Sequence, residues 1–124
     1  MSRSAELEAV FGGDARLFRL PLGRLRALQE KTDCGPLELC GRLSGGTWRI
    51  DDVRETILQG LIGGGLDQPS ATKLVMTYFD DLPCGPHVPL ANAIVMAAVV
   101  GTGDEDLGED EGEGPISTLS PDPN

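Results

Sequence analysis

The stretch from Pro21 to Leu66 constrains the fold more than any other part of the chain, because glycine-containing breaks cut it into three short segments of helical periodicity. Leucines line one face of the first segment. The third repeats apolar residues at i, i+3, i+7, i+8, i+11 and i+12 from Ile50. A triple glycine at 63–65 is predicted to cap this third helix. Short amphipathic helices bury their apolar faces against one another, so this stretch predicts a small helical bundle.

A β-hairpin is predicted before the helices. Two short apolar runs, around residues 7–11 and 15–20, flank Gly12, Gly13 and Asp14. Glycines between such runs are typical of a hairpin turn. Alternation in the second run places Phe18 between Arg16 and Leu20 on one face, so neither face is entirely apolar. Because a two-stranded hairpin is marginal by itself, its more apolar face is expected to lie on the helices.

Two further helices are expected after the triple glycine. Apolar residues recur at helical spacing over 71–82, and a fifth helix from Val88 or Pro89 contains eight consecutive apolar residues, 93–100. Eight consecutive apolar residues are more than one helix face can bury against a small bundle. The face expected in the core holds Leu90, Ile94, Val95, Ala98 and Val99. Met96 and Val100 lie on the opposite side and are predicted to face a protein partner.

The predicted fold class is mainly α: a bundle of about five helices with an N-terminal β-hairpin, which is α+β by strict count. One domain is expected over residues 6–102, with the hairpin in 6–20 and the helices in 21–102. Residues 1–5 should be frayed. Residues 103–124 lose all periodicity and are rich in acids, Gly, Ser and Pro, so we expect a disordered acidic tail.

The formal net charge of −10 is concentrated at one end of the chain. Residues 104–113 hold seven acids and no base, whereas residues 1–103 hold 12 acids and 10 bases. An acidic chain without a basic stripe argues against nucleic acid as a partner. The acidic segment is either a solubilising tail or an arm that binds a partner. With no apolar run of about 18 residues and no signal peptide, we expect a cytoplasmic protein without a membrane partner.

Cys34, Cys40, Cys84 and His87 are the ligand types and the number that a structural zinc site requires. The spacing weakens this hypothesis, because five residues separate Cys34 from Cys40 and zinc knuckles have two to four. Both Cys-Gly-Pro triplets are therefore interpreted as helix-start turns beside small, reduced thiols. No metal and no cofactor are expected.

No pattern in the chain is typical of a catalytic site. His87 is not placed to activate the thiol three residues before it, and the Asp80-Asp81 pair is interpreted as solvated surface. The triple glycine lacks the Lys and Ser or Thr of a phosphate loop. Trp48, in the linker before the third helix, is expected to cover the end of the core or, alternatively, to anchor a partner.

The segment VFGGDARLFRLPLG, the leucine-rich first helix and the helix closing on Gly-Gly-Gly together resemble the gene transfer agent and phage tail assembly chaperone family. The resemblance covers residues 6 to 100. It implies a non-enzymatic protein in the cytoplasm of a bacterial host cell. Such a chaperone binds the tape measure protein, keeps it soluble, and helps tail tube protein polymerise around it. Homo-oligomer formation is left open.

Two departures from this family pattern keep other functions open. Family members often place a glycine directly after a glutamate late in the first helix, whereas Glu30 is separated from Gly35 here. The acidic extension after Gly101 matches no family motif. One alternative is a minor structural tail protein or head-tail joining protein of a phage. A second alternative is a small zinc-stabilised regulatory module.

Overall fold

The structure is a computed structural model that describes residues 5–102. In this range two strands, β1 (Glu6–Phe11) and β2 (Asp14–Arg19), precede five α-helices: α1 (Leu22–Thr32), α2 (Pro36–Gly45), α3 (Ile50–Gly63), α4 (Gln68–Val75) and α5 (Val88–Val100). A π-helical turn, Met76–Asp80, continues α4, and a 3-10 turn, Gly85–His87, leads into α5. The predicted fold class is confirmed. The expected frayed end and acidic tail lie almost entirely outside the described residues.

The hairpin has the two-residue turn that its glycines predict. The antiparallel register runs from the pair of Glu6 with Arg19 to the closing pair of Phe11 with Asp14. Gly12 and Gly13 both have positive φ, 68° and 87°, as a tight turn matched to the strand twist requires. Phe18 is fully buried while both of its neighbours in β2 are exposed. The hairpin therefore lies with one face on the helices.

Helix α3 lies at the centre of the molecule and contacts α1, α2, α4, α5 and β2. Helix α5 packs against α2, α3 and both strands. Thr102, two residues after α5, donates a hydrogen bond from Oγ1 to the carbonyl of Glu6 at 3.4 Å. The end of α5 therefore lies near the start of β1. The largest fully buried apolar side chains come from β2 and from all five α-helices: Phe18, Leu28, Leu39, Val53, Ile57, Leu61, Val75, Ile94 and Val95.

A buried polar cluster joins α1, α2 and α3. Asp52, fully buried in the first turn of α3, accepts a hydrogen bond from the Arg49 backbone N–H at 2.7 Å. Arg42 Nη1 in α2 lies 3.2 Å from Asp52 Oδ1 and donates to the carbonyl of Thr32 at the end of α1. The Arg49 guanidinium donates to the same carbonyl. Through these two arginines, Asp52 joins the end of α1, the end of α2 and the start of α3.

The fourth helix differs from its prediction over 71–82. Ala71, Val75 and Phe79 are buried as the apolar repeat indicates, but Tyr78 is 36% exposed and Leu82 is 52% exposed. A π-helical turn begins at Met76, and its wider i to i+5 hydrogen bonding changes the angular spacing of the side chains, so that Phe79 keeps its place in the core and Tyr78 is only partly covered. The helical backbone also ends at Asp80, so Leu82 lies in the loop that follows.

Candidate protein-binding surface

Helix α5 leaves an apolar surface uncovered. Met96, Val99 and Val100, which we call the α5 patch, are 38%, 36% and 48% exposed. They are spaced i, i+3 and i+4, so they form one continuous stripe on the helix. The predicted exposure of Met96 and Val100 agrees with the structure, whereas the expected core position of Val99 is wrong. Val99 follows Met96 by three residues and therefore lies on its side of the helix.

The opposite side of α5 faces the core. Ile94 and Val95 are buried, and Leu90 and Ala98 are partly buried against the core, in agreement with the prediction. Two alanines that were not singled out, Ala91 and Ala97, are also buried. Their small side chains let α5 approach its neighbours closely, and their burial leaves the α5 patch as the exposed remainder of an almost wholly apolar helix.

Trp48 is partly buried and packs against the hydrophobic core just before α3 begins. This contact agrees with the interpretation that the ring covers the end of the core. Its alternative role as a partner anchor stays a prediction.

The structure does not bring the four candidate zinc ligands together. In the described part of the chain, no group of three His, Cys, Asp or Glu side chains is arranged to hold a metal ion. Cys34 and Cys40 are buried, and Cys84 is partly buried. The Cys34 thiol lies 3.6 Å from Thr32 Oγ1, and burial raises the pKa of the Cys40 thiol, which disfavours its reactive thiolate form.

His87 belongs to an aromatic cluster centred on Phe11. The Phe11 ring makes edge-to-face contacts with Phe18, Tyr78 and His87, with centroid distances of 6.5, 6.2 and 5.7 Å. Phe79 lies 5.2 Å from the His87 ring on the other side. These residues come from β1, β2 and the turns around α4 and α5, so no local sequence pattern indicates the cluster. The His87 ring thus packs against two aromatic rings, those of Phe11 and Phe79.

Asp80 forms an ion pair with Arg54. This differs from the interpretation of the Asp80-Asp81 pair as solvated surface. Arg54 Nε donates to Asp80 Oδ1 at 2.8 Å, and Arg54 Nη2 donates to Oδ2 at 3.0 Å. These hydrogen bonds lower the pKa of the Asp80 carboxyl below its usual value. The pair joins α3 to the π-helical turn. Both carboxylate oxygens of Asp80 accept a hydrogen bond from Arg54.

A shallow groove of about 490 Å³ runs along the outer face of α4. Its lining residues are Gln68, Pro69, Thr72, Lys73, Met76 and Thr77. The groove has one charged group, Lys73, and no second titratable group opposite it. It has the shape of a surface depression and lacks the convergent polar groups of an active site.

Within residues 5–102, none of the helices has the length and apolar character that crossing a membrane requires. Comparison with protein families matches residues 4–101 to the family described as phage tail tube protein, GTA-gp10. Neither the curated proteins nor the solved structures contain a significant match.

The family match covers nearly the same residues as the expected resemblance, and it confirms the expected phage or gene transfer agent tail family. It corrects the finer expectation. The tail assembly chaperone function is wrong, because the matching family is described as a tail tube protein, which is a structural component. The alternative of a structural tail protein fits this description better. On the strength of this match, the chain belongs to the phage tail tube protein, GTA-gp10 family.

Proposed function

We propose that this protein is a structural component of the tail of a phage or gene transfer agent and that it works through contacts between protein surfaces. Family membership supports the tail assignment. The α5 patch is the observation that supports contact with another protein. Clustered exposed apolar side chains on one helical stripe are typical of interaction sites, and a methionine adapts readily to a partner surface.

A non-enzymatic role is part of this proposal. Two of the three thiols are buried, the histidine packs between aromatic rings, and Asp80 is held by Arg54. These arrangements use the side chains from which a catalytic site would be built. The buried carboxylate of Asp52 is likewise engaged, because Arg42 and Arg49 both lie against it.

The proposed partners of the α5 patch are other tail tube subunits, including further copies of this chain. Contact with the tape measure protein stays a prediction. A minor tail protein or head-tail joining protein would use the same kind of surface, but it would occur in far fewer copies per particle. Copy number therefore separates these two forms of the proposal.

The direct test is quantitative mass spectrometry of purified, finished particles alongside the lysate from which they came. The proposal predicts that this chain is retained in the particles, in many copies for a tube subunit and in few for a joining protein. If the chain is abundant in the lysate and absent from intact particles, it is not a structural component.

The role of the α5 patch is tested by a double variant, Met96→Asp with Val100→Asp. Both side chains are exposed, so the variant should keep the helical circular dichroism of the parent chain while its incorporation into particles falls. Leu82→Asp is a matched control, because Leu82 is 52% exposed and lies outside α5. Equal incorporation of both variants would exclude the α5 patch as the contact surface.

A further inference from the structure

The two edges of the hairpin differ in how the rest of the fold covers them. The last turn of α3 closes the outer edge of β2, because a Cβ at Gly64 would overlap the carbonyl oxygen of Leu17. Along β1, by contrast, Glu8 and Val10 are exposed, and the Val10 side chain is 69% exposed. The β1 edge contains no proline, no lysine and no β-bulge, which are the usual means of blocking an edge strand.

The backbone groups of Glu8 and Val10 point out of this edge. Hydrogen-bonded and non-hydrogen-bonded pairs alternate along an antiparallel ladder, starting with a hydrogen-bonded pair at the turn, so both residues occupy non-hydrogen-bonded positions. Their N–H and C=O groups therefore face away from β2. Within residues 5–102, none of these four groups forms a hydrogen bond. They are arranged to pair with a further strand.

We propose that β1 pairs antiparallel with β1 of a second copy of this chain. In this pairing Glu8 lies opposite Val10 of the partner subunit, and Val10 lies opposite Glu8 of the partner subunit. Each of the two pairs exchanges two backbone hydrogen bonds, so the four free groups of each copy are all used. The two hairpins then form one sheet of four strands, which is more stable than two separate hairpins.

A second copy fits this edge because the contact closes on itself. Since α3 covers the edge of β2, two copies meet through β1 and β1, which gives an isologous contact around a two-fold axis. Ala9 then lies opposite Ala9 of the partner subunit in a closely spaced, non-hydrogen-bonded pair, where a small side chain fits.

The neighbouring register is disfavoured by two observations. It would place Glu8 directly opposite Glu8 of the partner subunit, and like charges in that position are destabilising. It would also require the carbonyl of Glu6, which already accepts a hydrogen bond from Thr102. The charge pattern and the Thr102 contact therefore both favour the pairing of Glu8 with Val10.

This proposal adds a second contact between copies to the proposed function and does not depend on it. A contact of so few residues is expected to be weak, so the purified full chain should be monomeric at about 10 μM and largely dimeric at about 1 mM. Sedimentation equilibrium measures this. Hydrogen exchange by NMR should show the Glu8 and Val10 amides protected at the higher concentration and unprotected at the lower one. A chain that stays monomeric, or amides equally protected at both concentrations, would overturn the proposal.

Substitutions of Val10 test the register. Val10→Lys should strengthen the dimer several-fold, because each lysine would face Glu8 of the partner subunit, whereas Val10→Glu should weaken it about tenfold through like charges. Pairing of edges without this register predicts the opposite for lysine, which normally blocks an edge strand. The same direction of change for both variants would therefore contradict the proposed register.

Val10→Pro tests the backbone contact, because it removes an outward N–H that the hairpin does not use. It should abolish the dimer, whereas the matched control Val10→Thr keeps the N–H and a branched side chain and should retain it. Circular dichroism checks that both variants fold. The α5 patch variant, Met96→Asp with Val100→Asp, should still dimerise. If that variant is monomeric and Val10→Pro is dimeric, the copies meet through α5, and pairing through β1 is wrong.

Discussion

Gly63, in the last turn of α3, lies directly against the carbonyl group of Arg19 in β2. A Cβ at Gly63 would overlap the Arg19 carbonyl oxygen and lie 2.8 Å from the carbonyl carbon. Gly64 approaches the carbonyl of Leu17 in the same way. In an antiparallel ladder, hydrogen-bonded and non-hydrogen-bonded residue pairs alternate, beginning with a hydrogen-bonded pair at the turn. Counted from the closing pair of Phe11 with Asp14, Leu17 and Arg19 occupy non-hydrogen-bonded positions. Their carbonyls therefore face away from β1. Helix α3 therefore covers the free edge of β2 and protects it from pairing with another strand.

Gly63→Ala should destabilise the protein by about 2 to 4 kcal/mol, because backbone atoms and not flexible side chains occupy the space that the methyl group needs. Urea denaturation followed by circular dichroism measures the change. Gly41→Ala in α2 is the control, since no atom lies within 4 Å of its Cβ position. We expect this control to be neutral or stabilising by up to about 1 kcal/mol. Similar stabilities of the two variants would contradict the close approach of α3 to β2.

Asp52→Asn should lower the free energy of unfolding by about 2 to 3 kcal/mol, because it removes the charge that the partly buried Arg42 faces at 3.2 Å. The amide can still accept from the Arg49 N–H, so the loss reports mainly on the ion pair. The neighbouring variant Asp51→Asn removes an exposed first-turn acid and should cost about 0.5 kcal/mol. Thermal melts of both variants at one pH provide the comparison. A loss for Asp52→Asn no larger than that for Asp51→Asn would mean that the ion pair contributes nothing.

The ion pair between Arg54 and Asp80 should make stability depend on pH. Its hydrogen bonds lower the pKa of Asp80 in the folded state below the unfolded value of about 3.9. The pair therefore stabilises the fold fully above about pH 5, and the contribution is lost as the pH falls through the folded pKa. Because Asp80 is partly exposed, the effect should be about 1 kcal/mol or less.

A double-mutant cycle with Asp80→Asn and Arg54→Gln isolates this contribution. The coupling free energy should be positive at pH 7, smaller at pH 3, and reduced by high salt. A coupling energy that stays constant between pH 7 and pH 3 would show that the carboxylate charge has no part in it.

The protein purified without chelator should contain no stoichiometric zinc, and a chelator should leave its melting midpoint unchanged. The reason is that no three His, Cys, Asp or Glu side chains of residues 5–102 are arranged to hold a metal ion. Cys84→Ser should then cost about 1 kcal/mol or less, as expected for a small, partly buried side chain. One zinc per chain by elemental analysis, lost in Cys84→Ser, would restore the zinc-stabilised alternative.

Local sequence patterns were sufficient to predict the strands and helices of the fold. The glycine pair at 12–13 between two apolar runs predicts the hairpin turn, because only a residue without Cβ adopts both positive φ values readily. The proline after Gly35 marks the start of α2, because its ring fixes φ at a value suited to the first turn of a helix. The exposure of Met96 also follows from the number of apolar residues in the fifth helix. A small bundle cannot bury every side of a helix that is almost wholly apolar.

Other features depend on residues that are distant in sequence. The triple glycine was interpreted only as a cap, and nothing in its own segment indicates that β2 lies against Gly63 and Gly64. The aromatic cluster around Phe11 likewise joins rings more than 60 positions apart. Such contacts are set by how the elements pack, which periodicity within one element does not encode.

The places of the strands and helices and their apolar faces follow from local sequence patterns, because turn chemistry and hydrophobic spacing act over a few residues. The burial of Asp52 depends instead on how the helices pack, because it requires an arginine of α2 and one at the start of α3 to converge on one carboxylate. The position of Tyr78 also depends on packing, because its ring contacts Phe11 of the hairpin while it stays 36% exposed. Burial of a charge is tolerated only when partners neutralise it, and Arg42 reaches Asp52 only because α2 packs beside the start of α3.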